Sequence, residues 1–410
     1  MAMNVDPFSG SSLEDPYRLY ERLRHDAPVY QLPETGIWFV TRHDDLVEAA
    51  SKPEIFSSHI SAIVYAGAGT NAVVVPADPD AIGAVDVLAT QDPPVHTAQR
   101  KLLNRAFVAS RMALLEPQIV ALLDEKISPP LARGTVEWME EIANPLPVSM
   151  IAGLLGLPQS DLGRLKAWAD AGIDLLSGVS TMERMADAWQ EMIGFLSYLR
   201  ERLATPAPES ITATIAEAVA RGDLSDREGV SLLLQLVIAG SESTAGLLGS
   251  AARRLAEDEE LQDSLRKDPA RIPVFLEESV RLESPFRGHF RVTTRETELG
   301  GVKLPEGARV MLMWGSANRD EKAFANAGAV DMEREHPYAH VGFGSGIHFC
   351  IGAPLARLEA RIVVQALLER TTTFRLSRGA PSPRHVPSVF VRRLTHLHLE
   401  LISSGDASVA

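Results

Sequence analysis

Cys350 is the only cysteine in a chain of 410 residues, and it lies in the segment FGSGIHFCIGAPLAR, which runs from Phe343 to Arg357. The glycines around it permit a tight turn and the close approach of another group. The segment after it is strongly helical, so the thiol is placed at a helix N-terminus, where free N–H groups and the helix dipole favour a thiolate. Such a thiolate can be a nucleophile or a metal ligand, although a lone cysteine is most often a small buried apolar side chain.

The surroundings of the cysteine favour the metal ligand. A nucleophile needs a base, and His348, two residues away in a glycine-rich turn, is not reliably placed to form the required hydrogen bond. One cysteine also excludes an internal disulfide and zinc sites built from several cysteines. A thiolate that is the sole protein ligand suits haem iron, because the porphyrin supplies the equatorial donors.

The pattern Phe343-x-x-Gly346-x-His348-x-Cys350-x-Gly352 resembles the haem-ligand loop of the cytochrome P-450 superfamily of haem-thiolate monooxygenases. Other marks of the family occur in the expected order, namely DPPVHTAQR, AGSEST, EESVR and DMER. The resemblance covers essentially the whole chain, in the form of the soluble, class I-like bacterial members. It implies a mainly α cytochrome P-450 fold, with a large helical domain and a small β-rich region. It also implies haem b, ligated by Cys350, with O₂ as co-substrate.

The resemblance assigns the haem contacts outside the cysteine. Four of them, His96, Arg100, Arg291 and His348, match positions that contact the haem propionates, and His96 and Arg100 lie four apart on one helix face. The other haem contacts are Ala239, Gly240, Phe343, Gly346 and Gly352.

A structural network of Glu278, Arg281 and Arg334 is also implied by the resemblance. Without that resemblance, Glu278 and Arg281 at i and i+3 are most simply a surface ion pair. The planar guanidinium groups suit a buried network around one carboxylate.

The segment Ala239 to Thr244 is the candidate for the oxygen side of the haem. Glu242, followed by the hydroxyls of Ser243 and Thr244, is an acid–alcohol pair that can relay protons. The family most often has threonine where this chain has Ser243, so the working hydroxyl is either Ser243 or Thr244. The alternative is that Glu242 forms only a structural ion pair and that Ser243 packs.

The predicted substrate pocket is mostly apolar, which indicates a terpene, a steroid or a fatty-acid-like molecule that is hydroxylated or epoxidised. Arg287 and His289 can instead anchor a polar group. The predicted lining residues are Ile238, Phe286, Arg287, Gly288, His289, Val389 and Phe390, with the loop-like region from Ile60 to Gln91. A peroxide-driven peroxygenase, an isomerase and a non-enzymatic haem-thiolate sensor are the alternative functions.

Charge and composition restrict the partners. The formal net charge of −14 argues against nucleic acid as a general partner. The longest apolar segment contains Glu242, which is costly in lipid, so a buried core helix is expected and no membrane span. No signal peptide is evident, and we expect a cytoplasmic monomer. The chain has no flavin or iron–sulfur domain, so electrons are expected from a separate ferredoxin and its reductase. The residues expected to steer that donor are Arg100, Lys101, Arg105, Arg357 and Arg361.

The elements that position these residues follow from periodicity and end signals. We predict a single domain, 1–410, with a β-rich part at about 28–60 and 289–315 plus 385–402. Helices are predicted at 13–26, at 96–107, at 273–283 and from the capping box of Ser225 and Glu228 to about Ala256. Residues 28–42 are predicted to form a hairpin, 318–346 a coil, 353–370 a helix and 390–402 a strand.

Overall fold

The computed structural model describes residues 5–33, 35–59, 62–66, 72–76 and 83–403. The helices are α1 (Gly10–Glu14), α2 (Tyr17–Asp26), α3 (His43–Ala50), α4 (Val95–Asn104), α5 (Ala109–Ala113), α6 (Glu116–Arg133), α7 (Pro145–Leu155), α8 (Leu162–Leu176), α9 (Met182–Ala204), α10 (Ile211–Ala220), α11 (Asp226–Ala256), α12 (Glu259–Lys267), α13 (Ile272–Leu282), α14 (Trp314–Ala317) and α15 (Ala353–Arg370).

The strands are short and make up a minor part of the fold, as predicted. They are β1 (Val29–Gln31), β2 (Trp38–Val40), β3 (Phe56–Ser57), β4 (Ala62–Ala66), β5 (Ala72–Pro76), β6 (Thr135–Glu137), β7 (His289–Thr293), β8 (Thr297–Leu299), β9 (Val302–Leu304), β10 (Arg309–Leu312), β11 (Thr371–Leu376) and β12 (His398–Ser403).

Helix α11 is the centre of the helical part. The predicted capping box is present, because the Ser225 hydroxyl accepts from the Glu228 N–H and the Glu228 carboxylate accepts from the Ser225 N–H. The helix then runs for 31 residues and packs against α7, α8, α9 and α15. Among the described residues it is the one unbroken helix long and apolar enough to cross a membrane, and most of it is buried inside the protein.

One five-stranded sheet forms the β-rich part, in the order β1-β2-β10-β7-β3. The predicted hairpin is confirmed, because β1 and β2 pair antiparallel. In this sheet β10 pairs antiparallel with β7 and parallel with β2, which places the start of β7 beside α14. The sheet and α3 enclose a small apolar cluster of their own, separate from the large cluster of the helices.

Two strand predictions need correction. The strand predicted over 390–402 is confined to β12, and it pairs with β11 and β6 in a separate sheet. The region 60–91, predicted as a loop from its Ala, Gly, Pro and Asp content, contains the antiparallel pair of β4 and β5. The sequences AIVYA and AVVVP are rich in valine and isoleucine, whose branched side chains favour strands. Other parts of that region lie outside the described residues.

Candidate active site

A cavity lies between α11, α4, the start of β7 and the cysteine loop. The loop is held from both sides, because Val341 belongs to the small apolar cluster and Phe343 packs against the large one. The predicted residues that line the cavity are His96, Arg100, Ala239, Gly240, Ser243, Thr244, Phe286, His289, Arg291, Phe343, His348, Cys350 and Gly352.

The cysteine loop is a tight turn, and two residues lie between Cys350 and the start of α15. The Cys350 N–H donates to the Phe343 carbonyl at 2.8 Å. Gly346 has a φ of +67°, and a Cβ added there would lie 2.5 Å from the Ala50 carbonyl oxygen at the end of α3. Gly346 therefore does not line the cavity but lets the loop lie directly against α3.

The thiol of Cys350 needs a further positive charge to ionise. Burial raises the pKa of Cys350, and the N–H groups of Gly352 and Ala353, together with the Arg100 guanidinium, offset this only in part. A bound metal ion supplies such a charge and deprotonates a coordinating thiol. Among the described residues no group of three or more His, Cys, Asp and Glu side chains is placed to hold a metal. Cys350 would therefore act as a sole protein ligand, of the kind that haem iron takes.

A group of cationic and donor side chains lies beside the cysteine. The His96 and His348 rings are 4.4 Å apart, and within the described residues the buried Nε2 of His96 has no hydrogen-bond partner. Arg291 is 4% exposed, and burial lowers its pKa to about 10. Burial and the Arg291 charge lower the pKa of His348 to about 3, so this imidazole is neutral. The Asp92 carboxylate acts electrostatically on His96 and Arg291, but the two arginines outnumber it, and the two propionates of haem b would fit this cationic set.

Three of these four side chains also bind protein atoms, and one of them is Arg291, whose Nη1 donates to the Phe290 carbonyl at 2.7 Å. The His348 Nε2 lies 2.9 Å from the Ser58 hydroxyl, and Arg100 Nε donates to Asn104 at 3.0 Å. Ser58 was not predicted as a site residue, because nothing in its local sequence indicates that it reaches a loop 290 residues further on.

Helix α11 presents small residues to the cavity. Ala239 is exposed at the cavity although most of this helix is buried. Gly240 permits close packing on α7, because a Cβ there would lie 3.0 Å from Ile151 Cγ1. The Ser243 hydroxyl donates to the Ala239 carbonyl at 2.7 Å, and Thr244 lines the cavity beside it.

Glu242, predicted to supply protons to the neighbouring hydroxyl, does not itself line the cavity. Its side chain is 1% exposed and lies within ion-pair distance of Lys166 at 3.3 Å and Arg393 at 2.8 Å. Neither pair has hydrogen-bond geometry. The carboxylate lies on a different side of α11 from Ser243, so the predicted alternative, a structural ion pair, describes its contacts.

The predicted network around Glu278 is present and buried. Arg281 donates to both carboxylate oxygens at 2.7 and 2.8 Å, and Arg334 donates to the same two at 2.7 and 3.3 Å. Burial alone would raise the pKa of Glu278, but these hydrogen bonds outweigh it and hold the pKa below its usual range. The network joins α13 to the coil that precedes the cysteine loop.

A second network around the neighbouring Glu277 was missed. Arg357 donates to both Glu277 oxygens at 2.7 Å, and His340 Nε2 lies 3.0 Å from the carboxylate. The Arg357 guanidinium also lies 4.5 Å from the Phe343 ring centre. The available signal was the pair of adjacent glutamates, because neighbouring residues on a helix face in different directions and each needs its own partners.

The basic surface predicted for an electron donor is therefore smaller. Arg357 is committed to Glu277, and Arg361 pairs with Glu116 at 2.7 Å. Arg100 lines the cavity. Lys101 and Arg105 are exposed.

Five residues of the predicted substrate pocket do not line the cavity. Arg287 is 2% exposed and donates to carbonyls of Leu13, Ser12 and Val391, which makes it a structural link to α1. A Cβ on Gly288 would lie 2.6 Å from the Leu312 carbonyl oxygen. Of the other three, Ile238 and Phe390 belong to a small apolar cluster with Phe286, and Val389 packs against Gly178.

The region before α4 lines the cavity as predicted, through Leu88 and Ala89. Other lining residues were not predicted, because a side chain in a helix or loop gives no sign of which neighbour it faces. They include Phe107 after α4, Ile151 in α7, and Gln235, Leu236 and Leu247 in α11.

Comparisons with known proteins agree with the geometry. A family model described as Cytochrome P450 matches residues 174–393. Cytochrome P450 144 of Mycobacterium tuberculosis is 37% identical over 397 residues, which cover 96% of this chain and 90% of that protein. Cytochrome P450 107B1 of Saccharopolyspora erythraea is 33% identical over 397 residues, which cover 95% and 96%. The crystal structure of CYP109E1 from Bacillus megaterium in complex with testosterone has a TM-score of 0.85 and 29% identity, and the match covers 96% of this chain and 99% of that one.

Proposed function

The chain belongs to the cytochrome P450 family of haem-thiolate monooxygenases, and on that premise we propose that it hydroxylates or epoxidises an apolar small molecule. The observation that supports this is a single cavity that contains Cys350 at one side, the small and hydroxylated residues of α11 at another, and the aromatic ring of Phe286. A terpene, steroid or fatty-acid-like molecule suits that lining.

Different residues of the chain would bind the haem and exclude water from the substrate. Cys350 would hold haem b through its thiolate, and His96, Arg100, Arg291 and His348 would hold the propionates. When bound, the haem supplies the iron at which O₂, the proposed co-substrate, is activated. The apolar side chains that line the cavity, Phe107 and Leu247 among them, would keep bulk water away from the substrate.

Proton movement is proposed for the hydroxyls of α11. Ser243 lies at the cavity and its O–H donates to the Ala239 carbonyl, so its oxygen is free to accept a hydrogen bond from a proton donor; passing a proton on would require the O–H to turn from the carbonyl towards the cavity. Glu242 is the next residue, and its partner Lys166 is partly exposed. We propose that protons enter from this ion-paired group and reach the cavity through Ser243 or Thr244.

The electron donors are part of the proposal. A separate ferredoxin and reductase would supply electrons, and the exposed cations Lys101 and Arg105 would attract an acidic donor to the face beside α4. A cytoplasmic location is proposed, supported by the single free cysteine and by the bacterial relatives.

Cys350→Ala tests the central assignment. The reduced wild-type protein with carbon monoxide should show the absorption band typical of thiolate-ligated haem, and the variant should lose that band because no thiolate remains. Ser345→Ala, in the same loop and also at the cavity, is the control and should keep the band. Survival of the band in Cys350→Ala would show that another ligand holds the iron.

A further inference from the structure

We infer that His289 selects substrates that carry a hydrogen-bond acceptor, by presenting one N–H group to the cavity, and that Trp314 fixes the tautomer that makes this possible. The inference rests on the proposed function, because it concerns which apolar molecule the cavity accepts. His289 is the specificity-determining residue, and Trp314 is a positioning residue that acts through it.

The hydrogen bond between the two side chains determines where the imidazole proton lies. Trp314 Nε1 donates to His289 Nδ1 at 2.7 Å. An indole nitrogen can only donate, so Nδ1 must accept and a neutral ring carries its proton on Nε2. Trp314 is 2% exposed, so no water can accept from the indole N–H if His289 changes tautomer.

The ring is kept neutral by the same surroundings. Burial and the Arg291 charge lower the pKa of His289 to about 3. A protonated ring would direct an N–H on Nδ1 at the indole N–H and lose the bond. His289 therefore offers one donor and no charge over the whole physiological pH range.

His289 lines the cavity together with Phe286. His289 and Arg291 are two residues apart on β7 and line the same cavity, so they are separated by about 6.6 Å along the strand. The His289 ring lies 5.3 Å from both Phe286 and Phe390, ring centre to ring centre. In the part of the chain that the structure describes, no side chain or carbonyl accepts from His289 Nε2.

An isolated donor among aromatic rings recognises an acceptor oxygen. Gln235 on the opposite helix adds to this preference, because its Oε1 accepts from the Ala89 N–H at 3.0 Å and its amide N–H groups are left as donors. A ketone, an ether or an alcohol oxygen on an apolar skeleton satisfies such donors. A pure hydrocarbon leaves them unpaired in a dry cavity, which is costly.

The competing explanation is that His289 donates to a haem propionate beside Arg291. In that case His289 would affect haem retention and would not distinguish one substrate from another. The test must therefore compare ligands that differ only in the acceptor.

The first experiment measures affinity for cyclododecanone and cyclododecane by the change in haem spin state. The wild-type holoenzyme should bind the ketone more tightly. The double variant His289→Phe with Trp314→Phe removes donor and acceptor together, so no indole N–H is left unpaired. The preference for the ketone should then fall by about threefold to tenfold, the effect of one neutral hydrogen bond.

His289→Gln is the conservative variant, because a glutamine amide nitrogen can occupy the position of Nε2, and it should retain part of the preference. The inference is wrong if wild type does not prefer the ketone, or if the double variant keeps the same ratio of dissociation constants. It is also wrong if the double variant loses haem faster while the ratio is unchanged, since this is the outcome expected for a propionate contact. The carbon monoxide band of each variant shows separately whether the proposed haem-thiolate function holds.

The second experiment needs no ligand. The ring nitrogens of the histidines are observed by ¹⁵N NMR in the diamagnetic ferrous carbon monoxide complex, and the His289 signals are identified by their loss in the double variant. Wild type should show a proton on Nε2, and Trp314→Phe alone should give a mixture of tautomers. A proton on Nδ1 in wild type, or no change in Trp314→Phe, would overturn the role of Trp314.

Discussion

A hydrogen bond holds the Ser243 side chain in one orientation, as the methyl group of a threonine would at this position. Threonine at this position would be restrained at χ1 by its branched Cβ. Serine lacks that restraint, but its hydroxyl donates to the Ala239 carbonyl at 2.7 Å. Thr244 also lines the cavity, yet its hydroxyl has no hydrogen-bond partner among the described residues. Ser243 is therefore the better-positioned hydroxyl.

Ser243→Ala should leave NAD(P)H consumption through the partner proteins in place while product per NAD(P)H falls by about tenfold and hydrogen peroxide rises. This is below the 10²–10⁴-fold typical of a positioned proton-transfer group, because Thr244 and water remain in the cavity. Thr244→Ala should have a smaller effect. Product and peroxide are measured together for a substrate that shifts the spin state.

Ser241→Ala is the matched control, because Ser241 makes the same bond to Val237 at 2.7 Å but is buried away from the cavity. Ser241→Ala should form as much product per NAD(P)H as wild type does. If Ser243→Ala couples equally well, Thr244 or an ordered water carries the proton.

At the scale of elements, the site depends on how closely the cysteine loop lies against α3. Gly346 has no room for a Cβ, because the Ala50 carbonyl oxygen would be 2.5 Å away, and its φ is +67°. Gly301, in the turn between β8 and β9, has a φ of +78° but open space around it. The two glycines share a backbone conformation and differ in their neighbours.

Gly346→Ala and Gly301→Ala should each lose about 1–2 kcal/mol from the left-handed backbone. Gly346→Ala should lose more, and it should release haem faster, because the loop must move away from α3. Thermal midpoints and haem transfer to apomyoglobin measure the two effects. Equal haem release from both variants would show that the contact with α3 does not hold the loop.

Elements with local end signals were predictable from the sequence. The capping box of Ser225 and Glu228 located the start of α11, and the glycines around Cys350 located the turn before α15. Side-chain direction was harder to predict. Arg287 and His289 are two residues apart in the sequence, yet only His289 faces the cavity, because Arg287 precedes β7 and donates to carbonyls near α1. Glu242 likewise faces Lys166, a contact between two helices that the sequence of either one does not reveal.

At the scale of the whole molecule, Glu283 joins parts of the chain that are far apart in the sequence. It accepts from the Tyr17 hydroxyl at 3.0 Å and from Arg319 at 3.3 Å, it also accepts from Arg392, and Arg254 lies 3.8 Å away. Burial alone would raise the pKa of Glu283, but the arginines outweigh it and lower the pKa to about 2. Both ends of the described chain are thereby tied to α13.

The depressed pKa makes this junction sensitive to acid. Its contribution to the free energy of unfolding is fully present above the ordinary pKa of 4.5 and is lost as the pH falls from 4.5 towards 2. Glu283→Gln should cost about 3 kcal/mol at neutral pH. The difference from wild type should shrink by about 1 kcal/mol when the pH is lowered from about 6 to about 3.5.

Urea unfolding at a series of pH values measures this difference. Glu400→Gln is the control, because Glu400 also pairs with an arginine, Arg375 at 2.9 Å, but at the surface, where such pairs contribute little. A difference between Glu283→Gln and wild type that stays constant with pH would mean that Glu283 does not titrate with the expected shift.

The residues that line the cavity are far apart in the sequence, from Leu88 before α4 to Ala356 in α15. During synthesis the lining residues near Leu88 leave the ribosome long before Cys350 does. Contacts between residues so distant in sequence form slowly. We therefore expect the nascent protein to remain without its cofactor until translation has passed α15. Haem supply after translation should then limit the yield of holoprotein. Ribosome-bound chains that stop before Cys350 should not retain haem.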